Sequence, residues 1–116
     1  MTINLQDHEW CWRSQHGEDG VIAKIAEVIP TLPHTFLEIG AHFLEANCLK
    51  LSSHMKWRGI YLDDFHEFHP LGFYKEWVTA ENINDIWNKY KSVYEQGLGI
   101  LSIDIDGMDF YIWSAL

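Results

Sequence analysis

The chain has 116 residues, 47% of them hydrophobic, which supplies enough apolar surface for one folded domain and argues against intrinsic disorder. Its 17 acidic residues outnumber the eight basic residues and give a formal net charge of −9. Because binding to phosphate backbones needs clustered Lys and Arg side chains, this composition argues against nucleic acid and anionic membranes as partners.

The two cysteines and the amino terminus give information about the setting of the protein. Cys11 and Cys48 form no Cys-x-x-Cys pair, so we predict neither a disulfide framework nor a structural zinc site. Residues 1–7 contain no basic segment followed by an apolar one, as a signal peptide would. No apolar run approaches the roughly 18 residues of a membrane span. We therefore expect a reducing, cytoplasmic location.

Helical and strand patterns alternate along the chain, and each is recognised from the period of its apolar residues. In chain order we predict a helix over 17–29 capped by Ser14, a strand over 35–39, a helix with an apolar stripe from Leu44 to Met55, a strand over 59–62, a weaker strand over 76–79, a helix over 83–90 capped by Thr79, a strand over 99–103, and a helix starting near Asp109.

This order predicts an α/β protein with a Rossmann-like parallel sheet and helices on both faces. Short strands that are apolar on both sides and joined by helices are typical of such sheets. Ligands bind beyond the carboxyl ends of their strands. The expected strand ends are polar here, since they carry Glu38-Ile39-Gly40, Asp63-Asp64, Thr79 and Asp104-Ile105-Asp106. We therefore expect the functional site at this edge of the sheet.

Four segments carry a family resemblance. They are SQHGEDG at 14–20, FLEIGA at 36–41, WRGIYLD at 57–63 and LSIDIDGMD at 101–109. In this order they resemble the FkbM-like branch of class I S-adenosylmethionine-dependent methyltransferases. That family has a seven-stranded sheet, so the resemblance implies that residues 1–116 form a single, partial methyltransferase domain, truncated after the fourth strand.

The resemblance implies roles for individual residues. S-adenosylmethionine is the expected cofactor, and methyl transfer to a sugar or small-molecule hydroxyl is the expected reaction. Asp104 is the expected catalytic base, and Glu18 and Asp19 match an early acidic motif of the family. The residues expected to bind the cofactor are Glu38, Gly40, Ala41, Asp63 and Asp64, and those expected to bind the substrate are Asp106 and Asp109.

One departure from the family pattern supports an alternative function. The turn after the first strand contains His42-Phe43-Leu44 and no second glycine, so its bulk can obstruct the cofactor. The alternative is therefore a non-catalytic remnant or interaction module of the same fold. Its exposed sheet edge would then allow self-association with a second copy.

Two other readings of the acidic residues stay open. Asp106, Gly107 and Asp109 can simply cap the last helix, because acidic side chains favour helix amino termini. The segment DIDG at 104–107 also resembles the first motif of haloacid dehalogenase-type phosphatases, although Met108 stands where that motif has threonine. For the ligand-rich segment 63–69 we predict no metal, since it lacks the H-E-x-x-H spacing.

Overall fold

The computed structural model describes residues 2–9, 17–41, 46–105 and 107–116, apart from the side chain of Asp19. Short 3₁₀ turns occur at Leu5–His8, His69–Leu71 and Lys91–Tyr94. The helices and strands are, in chain order, α1 Glu18–Val28, β1 Thr35–Ile39, α2 Leu49–Ser53, β2 Arg58–Asp63, β3 Phe73–Lys75, α3 Ile83–Tyr90, β4 Ile100–Ile103 and α4 Asp109–Ala115.

The four strands form one parallel sheet in the order β3-β2-β1-β4. β1 lies at the centre, where Ile39 pairs with Leu62 on one side and Ile103 on the other. Because the strands are parallel and in register, their carboxyl ends meet at a single edge. The predicted parallel α/β sheet is confirmed.

Side chains of successive strand residues alternate between two apolar layers. Phe36 and Tyr61 pack with residues of α1 and α2, whereas Leu37 and Ile60 pack with residues of α3 and α4. The helices therefore cover both faces of the sheet, as the sequence predicts. The buried helical residues of the first layer are Ala26 and Leu51, and those of the second are Ile83, Ile86 and Ile112.

The prediction of a strand over 76–79 was wrong, because the third strand is Phe73–Lys75. Phe73 is fully buried and stacks on Tyr61 with ring centroids 4.4 Å apart, and this contact fixes the strand next to β2. Residues 76–79 follow it as irregular chain. The packing of Phe73 on Tyr61, which comes earlier in the sequence, therefore outweighs the local β-propensity of the Trp77-Val78-Thr79 segment.

The helix boundaries differ from the predicted ones at α1 and α2. α2 has only five residues, and Leu44, which was expected in its stripe, lies outside the described residues. The bounds of α3 are those predicted, and Thr79 caps it: its Oγ1 accepts from the N–H of Asn82 at 3.2 Å and its N–H donates to Oδ1 of Asn82 at 2.7 Å, the reciprocal pattern of a capping box, although Asn82 directly precedes the helix. Gly17 is the N-cap of α1, and Ser14 lies outside the described residues. No helix in the described part of the chain is long and apolar enough to cross a membrane.

Candidate functional site

A cavity of about 320 Å³ lies at the carboxyl ends of the strands. This volume is at the lower end of the range for small-molecule pockets. Every strand contributes residues from its carboxyl end or from the segment that follows it. They are Gly40 and Ala41 after β1, Leu62 and Asp64 at β2, Glu76 to Thr79 after β3, and Asp104, Ile105 and Met108 after β4.

Gly40 follows β1 and lines this cavity, where its backbone contacts Leu62 of β2 and Asp104 after β4. Its φ angle is +87°, and an added Cβ atom would lie 2.0 Å from the carbonyl oxygen of Asp104. The N–H groups of Gly40 and Ala41 both donate to the carbonyl of Leu62, at 2.9 and 3.1 Å. Only glycine tolerates this conformation together with so close an approach. The predicted glycine therefore lines the cavity, and its missing side chain makes room for the protein's own backbone.

Glu38 is buried below the cavity and holds the start of α2. Its two carboxylate oxygens accept hydrogen bonds from the backbone N–H groups of Asn47 at 2.9 Å and Cys48 at 2.7 Å. Burial raises the pKa of Glu38 from its ordinary 4.5 to about 7, the two N–H donors oppose this shift, and the charge of Asp104 adds to it. The sequence indicates that a buried glutamate needs a partner, and that partner is the protein backbone.

Asp63 is completely buried at the end of β2. Its Oδ1 atom accepts from the N–H of Phe65 at 2.8 Å, and its Oδ2 atom lies 3.2 Å from Nδ1 of His66. Both carboxylate oxygens therefore have partners within the 63–66 turn. Of the two aspartates predicted at this strand end, the exposed Asp64 is the one that lines the cavity.

The cavity has an acidic wall. Three carboxylate residues, Asp64, Glu76 and Asp104, line it, and no Lys or Arg is among the described lining residues. Oε2 of Glu76 accepts from Nζ of Lys89 at 2.8 Å and from the hydroxyl of Tyr90. Burial and this carboxylate raise the pKa of Tyr90 to about 12. The hydroxyl of Tyr90 therefore stays a neutral donor that fixes Glu76 at neutral pH.

Apolar side chains also line the cavity. Val78 is buried, whereas Trp77 is 71% exposed and Met108 is 41% exposed. An indole ring and a thioether at the rim provide flat and adaptable surfaces for an aromatic ligand. Sequence analysis missed Glu76 and Trp77 as site residues because it assigned both to a strand. The sequence did contain an indication of the site, because the acidic Glu76 and the aromatic Trp77 directly follow a short strand.

Predicted substrate-binding residues lie partly outside this arrangement. Asp109 is the first residue of α4, and its Oδ1 accepts from the N–H of Ile105 in the preceding turn, whereas Met108, the N-cap residue, makes no side-chain capping hydrogen bond. Asp106 and the His42-Phe43-Leu44 turn lie outside the described residues. Asp104 is exposed and lines the cavity, where the sequence places the expected base.

The histidine-rich segment after β2 forms pairs of side chains. Besides the pair of His66 with Asp63, Nε2 of His69 lies 3.0 Å from Oε1 of Glu67. Within residues 2–9, 17–41, 46–105 and 107–116, no three His, Cys, Asp or Glu side chains come together as a metal site would require.

Comparisons of this chain with protein-family models, curated proteins and solved structures find no match. The arrangement of the cavity is therefore the basis for its functional interpretation.

Proposed function

We propose that this chain binds S-adenosylmethionine in the cavity at the carboxyl ends of its strands and transfers the methyl group to a hydroxyl of a sugar or other small molecule. The carrying observation is the charge of the cavity, since the carboxylates of Asp64, Glu76 and Asp104 line it, no Lys or Arg is among the described lining residues, and Lys89 compensates Glu76 from outside the lining. Phosphorylated nucleotides would be repelled there, whereas the sulfonium and ammonium groups of S-adenosylmethionine would be attracted.

The residues of the cavity fit the parts of this cofactor. The exposed carboxylate of Asp64 can accept hydrogen bonds from ribose hydroxyls, as an acidic residue at this strand end does in dinucleotide-binding folds. Trp77 and Met108 offer apolar contact to a purine ring. The segments 36–41, 57–63 and 101–109, which resemble the methyltransferase family, surround the same cavity and support the proposal.

The bound cofactor would supply an activated methyl group, so the protein contributes mainly position and charge. Asp104 is the residue that we propose to accept the proton of the attacking hydroxyl, because its carboxylate lines the cavity next to the end of β1. We further propose a cytoplasmic setting, since a reducing compartment suits the buried free thiol of Cys48.

A second candidate function is supported by a different observation. Both oxygens of Glu38 and both oxygens of Asp63 contact groups of the protein itself, although these residues are expected to contact the cofactor. This internal use favours an interaction module that keeps the fold and binds no cofactor.

Calorimetric titration separates the two functions. We expect saturable binding of S-adenosylmethionine, weaker binding of its demethylated product, whose thioether sulfur carries no charge, and no binding of ATP. Replacing Asp64 by Asn should weaken binding by about 10- to 100-fold, since a charged hydrogen bond contributes roughly 1.5–3 kcal/mol.

Asp85→Asn is the matched control, because Asp85 is exposed on α3, is not among the residues that line the cavity, and carries the same charge. This variant should bind as the parent chain does. Absence of heat at millimolar S-adenosylmethionine would reject the methyltransferase proposal and support the interaction module.

A further inference from the structure

A cavity of about 500 Å³ lies at the amino ends of β2 and β3, at the opposite end of the sheet from the candidate functional site. It is lined by the start of β2, the end of α2 and the His69–Leu71 turn that leads into β3. Its volume is within the range for small-molecule pockets, and it shares no described lining residue with the cavity at the carboxyl ends. This cavity is therefore a separate candidate for a binding site.

Arg58 supplies an uncompensated positive charge to this cavity. It is exposed, and its side chain forms no ion pair with any residue in the described part of the chain. Glu95 lines an adjoining cavity of about 280 Å³ together with Arg58 and makes no ion pair with it either. The other basic residue of the lining, His69, has its Nε2 atom 3.0 Å from Oε1 of Glu67. A bound anion would therefore meet one available positive charge.

The N–H of Gly59 adds a backbone donor next to this charge. The N–H of Arg58 donates towards β1, to His34 at 3.0 Å, whereas that of Tyr61 donates towards β3, to Gly72 at 2.8 Å. Because successive strand residues direct their N–H groups to alternate sides, the N–H of Gly59 points the same way as that of Tyr61. No described residue accepts from it, since the pairing of β2 with β3 begins only at Tyr61.

The lining also offers flat and apolar surface. The ring of Tyr74 stacks on that of His69 with ring centroids 4.5 Å apart, and Leu71, also in the lining, is 49% exposed. Aromatic side chains contact other flat rings over a large area. A guanidinium group donates two parallel hydrogen bonds to a planar carboxylate. The combination fits a ligand that has one carboxylate and a flat apolar body.

We propose that this cavity binds an aromatic monocarboxylate. The carboxylate receives two hydrogen bonds from the guanidinium group of Arg58, and one of its oxygens also accepts from the N–H of Gly59. The ring of the ligand lies against Tyr74 and Leu71. One negative charge matches the one uncompensated arginine, whereas a phosphate monoester carries nearly two charges at neutral pH and would leave one of them unmatched.

Titration with cinnamate, followed by the chemical shifts of backbone amides, tests this site. We expect saturable shifts at Gly59 and none at Gly40 or Asp104, which line the other cavity. Cinnamamide has nearly the same shape without the charge, and it should bind at least about tenfold more weakly because the charged hydrogen bonds are lost. Absence of saturable shifts at millimolar cinnamate would overturn the proposal. Tighter binding of phenyl phosphate than of cinnamate would reject a monocarboxylate as the ligand.

Substitutions of Arg58 separate recognition of the carboxylate from attraction by overall charge. Arg58→Gln should weaken cinnamate binding by about 10- to 100-fold, and Arg58→Lys should recover only part of this loss because an ammonium group cannot form the two parallel bonds. Lys75→Gln is the matched control, since Lys75 is exposed, carries the same charge and is not among the lining residues. Equal weakening by Arg58→Gln and Lys75→Gln would refute the site.

A substitution on the His69–Leu71 turn tests the same cavity without changing Arg58. Leu71→Glu places a carboxylate in the lining and should also weaken cinnamate binding, because two like charges then approach each other. Unchanged affinity of this variant would place the ligand outside the cavity. Circular dichroism reports whether each variant is folded. None of these measurements requires S-adenosylmethionine, so this inference stands apart from the proposed function.

Discussion

The two ends of the sheet differ in the charged side chains that line their cavities. The cavity at the carboxyl ends contains three carboxylate residues and no described basic one. At the amino ends, a larger cavity of about 500 Å³ is lined by Arg58 and His69, with no Asp or Glu among its described residues. Nearby, His34 stacks on Trp57 with ring centroids 5.1 Å apart. The negative net charge of the chain therefore describes the carboxyl end of the sheet and not the cavity at the amino end.

This difference shows that the charge around a cavity depends on which residues stand at that end of the strands. Burying an unpartnered polar side chain is costly, so most of the charged side chains of the strands lie at their ends, and the exception, Glu38 in β1, has both carboxylate oxygens hydrogen-bonded. The sheet itself adds little, because its net dipole is small. A ligand will then be selected by the side chains at one end, and a cationic ligand is expected at the carboxyl end.

The largest expected effect comes from filling the space at tight glycines. Gly40→Ala should destabilise the protein by roughly 3–5 kcal/mol, because the new Cβ overlaps the Asp104 carbonyl and φ is positive. Gly59→Ala, at the amino end of β2, meets the Phe36 carbonyl at 2.2 Å and should lose roughly 2–3 kcal/mol. Urea unfolding measures both losses.

Gly107→Ala provides the control, because φ is +93° there but nothing lies within 4 Å of the added atom. It should lose only about 1–2 kcal/mol, the effect of the backbone conformation alone. In the folded fraction, Gly40→Ala should also lose cofactor binding and Gly59→Ala should retain it. Equal stability of the Gly40 and Gly107 variants would show that the close contact with Asp104 does not determine stability.

The next largest effect is a pH dependence at the carboxyl half of β1. The pKa of Glu38 is raised from 4.5 to about 7 in the folded state, so the folded protein holds this proton more tightly than the unfolded chain. The contribution of Glu38 to stability is therefore full below pH 4.5 and is lost as the pH rises to 7. The loss amounts to roughly 3 kcal/mol.

Denaturant unfolding of the parent chain and of Glu38→Gln between pH 4 and pH 8 measures this loss as a difference between two curves. Thr35→Val is the comparison at the amino end of the same strand, where Oγ1 donates to the Gly97 carbonyl at 2.7 Å. That variant should lose about 1 kcal/mol at every pH, since a hydroxyl does not titrate there. Parallel curves for the parent and the Glu38 variant would contradict the raised pKa.

The sequence was sufficient to predict the sheet because its strands are marked locally. The buried run from Thr35 to Ile39 is apolar apart from Thr35 and Glu38, and its predicted bounds are those observed. The same holds for the order of helices and strands, which sets a parallel sheet. β3 was misplaced because the contact that fixes it joins Phe73 to Tyr61, residues far apart in sequence.

The site could be predicted only in outline for a similar reason. Sequence position correctly indicated that Gly40, Asp64 and Asp104 lie at one edge, since strand ends meet there. It could not indicate that the oxygens of Glu38 and Asp63 accept hydrogen bonds from backbone and side chain within the protein. The partners of Glu38 are nine and ten residues away and depend on tertiary packing, whereas those of Asp63 lie within three residues and form a local turn that an Asp at this position could have suggested.

A third experiment tests whether ligand binding responds to one end of the sheet alone. Asp104→Asn should weaken S-adenosylmethionine binding by about tenfold, through the loss of one nearby charge. Arg58→Gln should leave it unchanged, because a six-residue strand spans roughly 20 Å and charges are screened within about 8 Å at physiological salt. Calorimetry at two salt concentrations measures both affinities. A stronger effect of Arg58 than of Asp104 would place the ligand at the amino end.

The smallest expected effect comes from a substitution that changes the charge beside the acidic wall and replaces no residue that lines the cavity. Lys89 is exposed and pairs with Glu76 at 2.8 Å, so Lys89→Gln leaves the carboxylate of Glu76 with less compensation. Binding of a cationic ligand should strengthen by about twofold at low salt, and the gain should vanish at high salt because exposed charges are screened. Lys91→Gln, on the neighbouring turn, changes the net charge equally and should have no effect. If both variants strengthened binding to the same extent, the overall charge of the protein would be responsible, and the carboxylate of Glu76 would have no specific part in attracting the ligand.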